Sequence, residues 1–420
     1  MTRKMKDSKI EWIGAIPNYW KVVPSNLFFY NSSKKVEGNV EQLTASQKYG
    51  VISQSRFMKL ESQMPVQKRD LSDLKQVDKG DFVISLRSFQ GGLEIAQESG
   101  GITPAYTVLK EKTKQTYAGY YKYFFKSEMY IQALRGTVLD TIRDGKAIRF
   151  SNFSMVPIVL PPLNEQKKIV EVLNEKTKTI NNIISDTQQS IEELKKYKQS
   201  LITEAVTKGL DKNVEMKDSG VEWLGRTPKH WAILRTKNIL NERVEKSITG
   251  VEEPLSMSQK FGLIPSKDME SIPYAPASYI GNKKVSVKDL VFNKLKAHLG
   301  VFAVSKYEGI VSPDYAVYQA NEICDVKYLE YLFKTPQAIS EFIKYSRGVG
   351  AGLTRLYTHE FFNIKIALPS VEEQQEIVKY LNSKSTAINN LISEKEKIIE
   401  ELEQYKKSLI YEYVTGKKEV

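Results

Sequence analysis

The clearest pattern of apolar and polar positions begins at Leu173. Seam positions fall at 173, 177, 180, 184, 187, 191, 194, 198, 201 and 205, in steps that alternate between four and three. The same rhythm returns at 381, 385, 388, 392, 395, 399, 402, 406, 409 and 413. Spacing of this kind over several heptads predicts a coiled-coil seam. Lys198, Lys395 and Lys406, with Thr177 and Thr187, interrupt its apolar character. Such residues weaken a generic dimer but can fix the register between two specific helices. Pro161-Pro162 and Pro369 stand where a helix start tolerates proline, and Gly209 and Gly416 follow the last turns as C-cap candidates. Each helix is predicted to run for about 43 residues, about 65 Å at ~1.5 Å per residue, which exceeds what one small domain can cover. The two helices are therefore expected to pack on each other. An antiparallel pair would place the domain preceding each helix at opposite ends.

The segments before the helices follow a different rhythm. Short β-prone runs, Asp81-Phe82-Val83-Ile84-Ser85 and Tyr106-Thr107-Val108-Leu109, alternate with Gly and Pro. Leu290-Val291-Phe292 and Tyr315-Ala316-Val317-Tyr318 repeat them in the second half. The patches Tyr120–Phe125 and Tyr328–Phe333 read as helix. The ends of these segments are copies of one another. Lys6-Asp7-Ser8, Glu11-Trp12-Ile13-Gly14, Pro17 and Trp20 return 211 positions later as Lys217-Asp218-Ser219, Glu222-Trp223-Leu224-Gly225, Pro228 and Trp231. Leu160-Pro161, Glu165-Gln166, Ile169-Val170 and Leu173-Asn174 return 208 positions later as Leu368-Pro369, Glu373-Gln374, Ile377-Val378 and Leu381-Asn382. The expected fold is a mixed α+β chain of two globular α/β domains separated by two long antiparallel helices, with a pseudo-two-fold internal repeat. Its expected segments are a first domain over 1–160, a central helix over 161–209, a second domain over 210–368 and a C-terminal helix over 369–420.

Composition narrows the class. At 420 residues, 41% hydrophobic and 27% charged, the chain is long and apolar enough for globular domains with their own cores. No apolar run approaches the ~20 residues of a membrane span, and the first ten residues lack the apolar stretch of a signal peptide. The single Cys324 excludes an internal disulfide framework. The expectation is a cytoplasmic protein with no membrane partner. Its formal charge of +12 favours a polyanionic partner, because neutralising phosphates releases counterions.

Catalytic patterns are scarce. His230, His298 and His359 sit in unrelated settings, so there is no His-x-x-x-His or Cys-x-x-Cys metal pattern and no phosphate-binding loop ending in Gly-Lys-Ser/Thr. Gly348-Val349-Gly350-Ala351-Gly352 lacks the preceding strand a nucleotide loop requires, and reads as a backbone-exposing loop. The best nuclease-like carboxylates are Asp314 and Glu322, but the first copy has Ala105 in the place of Asp314. No catalytic or metal-binding residue is assigned.

Binding loops are better marked. Ser46-Gln47-Lys48-Tyr49-Gly50 is matched by Ser258-Gln259-Lys260-Phe261-Gly262, polar side chains ending in a glycine that permits close backbone approach. A plain solvated turn is the alternative. Arg87, Ser88 and Gln90 face a second framework copy holding Lys294, Lys296 and His298. Arg suits guanine and Gln suits adenine through paired hydrogen bonds in the major groove. Tyr106 and Tyr315 end a third matched pair of loops, and Arg135, Arg143 and Lys146 face Arg347 and Arg355 in a fourth. These are the candidate DNA-binding residues.

Taken together, the tandem Glu-Trp-Ile/Leu-Gly…Pro…Trp, Arg-Gly and Leu-Pro…Glu-Gln…Ile-Val…Leu-Asn pattern resembles the specificity (S) subunit of type I restriction-modification systems, from about Lys6 to Thr415. The resemblance implies two target-recognition domains, each reading one half of a bipartite, asymmetric site on double-stranded DNA. It implies two long helices that act as spacer and dock methyltransferase (M) subunits, two of them, alongside restriction (R) subunits. S-adenosylmethionine, ATP and Mg would belong to those partners, leaving this chain without a cofactor or catalysis of its own. Pro161, Glu165, Gln166, Pro369, Glu373 and Gln374 match the family pattern, and the resemblance makes them framework and subunit-contact positions. A stand-alone nuclease and a protein-binding adaptor are the competing classes.

Overall fold

A computed structural model describes residues 3–38, 40–61, 71–85, 91–137, 148–258, 261–271, 278–348 and 354–420, apart from the side chains at 297 and 298. The chain forms two compact units, Met1–Gln188 with Glu396–Val420, and Gln189–Lys395. Each takes in one globular domain and half of each long helix.

In the first unit an N-terminal hairpin pairs Met5–Asp7 with Ala15–Pro17. Lys21–Pro24 then pairs antiparallel with Pro157–Leu160, the strand that leads into the long helix. Between them lies an antiparallel sheet in the order Phe29–Ser32, Thr107–Glu111, Phe82–Ile84, Glu94–Ile95. The hairpin Leu43–Ser46/Gly50–Ser53 and the pair Lys75–Val77/Gly100–Ile102 complete the strands. The second unit repeats the plan throughout. Its sheet runs Leu240–Glu242, Tyr315–Ala320, Leu290–Asn293, Phe302–Val304. Its hairpin is Leu255–Ser258/Gly262–Pro265, and its short pair is Lys283–Val285/Gly309–Val311. The repeat that is strongest in sequence at the domain ends therefore extends, in backbone, through the segments between them.

Both faces of each sheet are covered, which explains runs without polar alternation. Phe82 and Ile84 enter the larger core of the first unit, and Val83 between them enters a smaller one with Leu43, Val51 and Val108. Leu290 and Phe292 against Val291 repeat this in the second unit. The aromatic patches form the helices Ala118–Phe124 and Val326–Phe333. Tyr120 donates to the Val414 carbonyl at 2.6 Å and Tyr328 to the Val206 carbonyl at 2.9 Å. Each satisfies one of the last carbonyls that a helix leaves without an internal partner.

The long helices are Leu163–Lys208 and Val371–Val414. Every expected seam position is buried or half-buried. Within each unit the two helix halves run antiparallel. In the first, Tyr120 reaches Val414 while Tyr123 of the same short helix donates to Asn174, and earlier in the second long helix the Lys406 ammonium reaches Asn181, later in the first long helix, at 3.1 Å. In the second, Lys198 reaches Asn389 at 2.8 Å. Asn181 and Asn389 are 208 positions apart, as are Lys198 and Lys406, so one polar bond occurs once in each unit. Two of the three seam lysines thus cross to an asparagine. Both helices end on left-handed glycines, Gly209 at φ 76° and Gly416 at φ 72°. A Cβ on Gly416 would come within 2.6 Å of Pro17 and 2.9 Å of Trp20, so the site requires glycine twice over.

Candidate nucleic-acid interface

The copied residues build a frame. Trp20 donates its indole N–H to Glu165 at 2.9 Å, and Trp231 donates to Glu373 at 3.0 Å. Both carboxylates lie in the first turn of a long helix, where the helix dipole favours negative charge. Arg3 also pairs with Glu165, whereas His230 meets Glu373. Gln166 follows, fully buried. Its carbonyl accepts from the Tyr117 N–H at 2.8 Å, and its amide donates to the carbonyls of Gln115 and Pro161. Gln374 repeats all three bonds with Asp325, Ile323 and Pro369. These side chains lock the start of each long helix to its own domain. Gln166 and Gln374 have no exposed surface with which to touch a partner.

Above this frame the candidate loops are arranged differently in the two units. In the first, Ser46 Oγ accepts from the Lys48 and Tyr49 N–H groups and so shapes the hairpin tip. Lys48 pairs with Glu61 at 3.1 Å, and Tyr49 donates to the same carboxylate at 2.9 Å. Lys126 ties the tip to the sheet. It donates to the Gln47 carbonyl at 2.8 Å and lies 2.7 Å from the buried carboxylate of Glu94. Burial raises Glu94 above its usual carboxylate range, although Lys126 opposes the shift. Tyr106 is half-buried beside the smaller core, and its carbonyl accepts from Lys75 at 2.7 Å. Arg135 lies in the last turn of the helix Glu128–Gly136.

In the second unit the described candidates lie around one place. Ser258 Oγ accepts from the Phe261 N–H at the hairpin tip. Met257, beside Ser258, packs with Tyr315 against the smaller core. Lys294 is tied on both sides, donating its N–H to the Asp314 carbonyl at 3.4 Å and accepting from the Leu356 N–H at 3.0 Å. Arg355 pairs with Asp314, and its strand is in register with Arg347, which pairs with Glu360. Lys283 pairs with Glu242 at 2.9 Å. Burial, then the charges of Lys283 and Arg355, pulls the Lys294 ammonium below its usual value. Lys296 is exposed on the turn Lys294–Leu299.

Ser258, Lys294, Tyr315, Arg347 and Arg355 are therefore neighbours. Arg87, Ser88, Gln90, Arg143, Lys146, Gln259, Lys260 and the side chain of His298 lie outside the described residues, as does the loop from 349 to 353. Asp314 and Glu322 do not form a pair. The strand Tyr315–Ala320 separates them by about 20 Å at ~3.3 Å per residue. Among the described residues no group of three or more His, Cys, Asp or Glu side chains could hold a metal ion, and no helix is long and apolar enough to cross a membrane.

Two domains of one topology thus each carry the same aromatic–carboxylate frame. The family model described as the type I restriction modification DNA specificity domain matches residues 20–193 and 252–404. The chain belongs to that family. It is 28% identical over 279 residues to the MjaX type I restriction enzyme specificity subunit of Methanocaldococcus jannaschii, covering 64% of this chain and 61% of that one. It is 27% identical to the MjaVIII specificity subunit of the same organism, covering 63% of each. The alignment thus spans somewhat less than two thirds of these relatives. A chain from a structure concerned with complex assembly and conformational transition of the type I R-M system has the same fold. It superposes with a TM-score of 0.71 at 13% identity, covering 96% of this chain and 99% of that one.

The frame residues and the candidate loops form two sets within each unit. Several residues of the second set carry a signal that is easily missed. Lys75-Gln76-Val77 and Lys283-Lys284-Val285 lie 208 positions apart, the offset of the helix motifs, and their lysines adjoin Tyr106 and the Lys294 cluster. Lys126, Glu94 and Glu242 have no such signature. Their role appears only when strands distant in sequence pair.

Proposed function

We propose that this chain is the DNA-recognition subunit of a type I restriction-modification complex. Each unit reads one half of a bipartite, asymmetric site on double-stranded DNA, and the chain itself performs no chemistry. The observation that carries this reading is that one framework occurs twice while the loops above it differ. Asp314 and Lys294 stand where the first unit has Ala105 and Ser85. A shared frame with unlike side chains suits two related but unequal half-sites. The relatives' description as specificity subunits of type I restriction enzymes supports the same assignment. On this reading two M subunits and R subunits dock on the chain in the cytoplasm. S-adenosylmethionine, ATP and Mg act on those partners.

The test is genome-wide adenine-methylation mapping in cells that hold the M subunit, with and without this chain. The expected result is a motif of two unequal halves around a gap of unspecified sequence, present only with the chain. A contiguous motif, or methylation that persists without the chain, overturns the proposal. Turnover of DNA by the purified chain with divalent metal alone would show that it has catalysis of its own.

A further inference from the structure

Lys294 is unusual among the lysines of the second unit. Its backbone is bonded to Asp314 on one side and Leu356 on the other, so its position is fixed by three chain segments. Lys283 and Arg355 converge on the same place, together with the carboxylates of Glu242 and Asp314. Those two carboxylates are engaged, Glu242 by Lys283 and Asp314 by Arg355. The Lys294 ammonium, half-buried, has neither hydrogen bond nor ion pair among the described residues. A second donor of the cluster is also orphaned, since the Arg355 Nε is buried with no acceptor. Three cations against two carboxylates leave one net positive charge.

Half-burying an ammonium without a partner is costly, and burying one beside other cations costs more. Such an arrangement is expected where the missing acceptor arrives with a ligand. Among the described residues the first unit shows no counterpart. Ser85 occupies the position of Lys294, Ala105 that of Asp314, and Lys75 spends its ammonium on the Tyr106 carbonyl.

We propose that Lys294, flanked by Arg355 and Lys283, is the seat of one backbone phosphodiester of the DNA bound by the second unit. This assignment rests on the DNA-recognition reading above. A single phosphodiester carries the one negative charge that the cluster lacks. A lysine ammonium meets it as a point charge and reads no base. The second unit thereby grips its half-site through a backbone contact that the described residues of the first unit do not repeat.

The test uses the full chain and a mixed-sequence duplex of ~30 base pairs, with affinity measured against KCl concentration. Lys294→Met is expected to lower the slope of log affinity on log salt by about 0.9, the value of one released counterion. Lys294→Arg should keep the slope, and Lys379→Met, which removes an exposed charge on the second long helix, should leave it near wild type. Thermal unfolding of Lys294→Met should occur at or above the wild-type temperature, because the variant removes an unpaired cation. The methylation motif given by the Lys294→Met complex should be unchanged. A relaxed motif at one base with an unaltered slope would make Lys294 a base reader and overturn the phosphate seat. An unaltered slope and motif would make it structural. Absence of DNA binding by the wild-type chain would overturn both this proposal and the reading beneath it.

Discussion

At the scale of single residues, the repeated Glu-Gln dipeptide divides its work between a polar frame and a buried staple. Gln166 satisfies one backbone donor and two backbone acceptors inside the protein, and Gln374 does the same in the second unit. Leucine has similar bulk but no polar atoms, so Gln166→Leu leaves those backbone groups buried and unpaired. With each lost partner worth about 1–3 kcal/mol and some relaxation, the expected loss is about 2–4 kcal/mol. Gln374→Leu should cost a similar amount. Urea unfolding followed by fluorescence reads both, and a loss below about 1 kcal/mol would mean that water replaces the amide. The staple also shows why a motif visible in sequence can hide its purpose. The Glu-Gln pair and the Trp motif are evident as copies, yet the bond between Trp20 and Glu165 spans 145 positions. Nothing in local spacing links them.

At the scale of elements, the seam was the most legible part of the chain because a helix buries residues at a period that sequence displays directly. The lysines within it also follow from the pattern as register-setting groups, and Lys198–Asn389 and Lys406–Asn181 give that idea its partners. Exchanging one pair, Lys198→Asn with Asn389→Lys, should restore stability to within about 0.5 kcal/mol of wild type. Either single change should lose about 0.5–1 kcal/mol, as for a partly exposed polar pair. A double-mutant cycle with no coupling would show that the bonds do not hold the register. The sheets were less legible. Phe82-Val83-Ile84 announces a strand, but a strand covered on both faces has no polar alternation to show which side meets which core. The candidate interface was least legible of all. Its loops are named by sequence, but the clustering of Lys294, Tyr315 and Arg355 depends on pairing between strands more than twenty positions apart. Lys283 could have been found from the Lys-x-Val copy, whereas Glu242 could not.

At the scale of the whole molecule, the compact units divide each long helix near its middle, after Gln188 and after Lys395. One heptad inserted at both points leaves the contacts inside each unit in place and adds about 10 Å of helix at ~1.5 Å per residue. If the helices measure the gap between half-sites, the unspecified stretch of the methylated motif should lengthen by about three base pairs at ~3.4 Å each. An unchanged gap in the methylation map would show that the helices are not the ruler. The same division has a consequence for synthesis. The second unit is complete in sequence once Lys395 has been made, but the first waits for Glu396–Val420 to supply Leu409, Tyr413 and Val414 to its core. At roughly 5–20 residues per second, the 207 residues from Gln189 to Lys395 take about 10–40 s to translate. Nascent chains arrested with residue 395 just outside the ribosome should therefore resist protease over 189–395 while the first domain is still cut. Equal protection of both would show that the first unit completes its core without its last helix half. The domain that is born first is, on this geometry, the one that must wait to be finished.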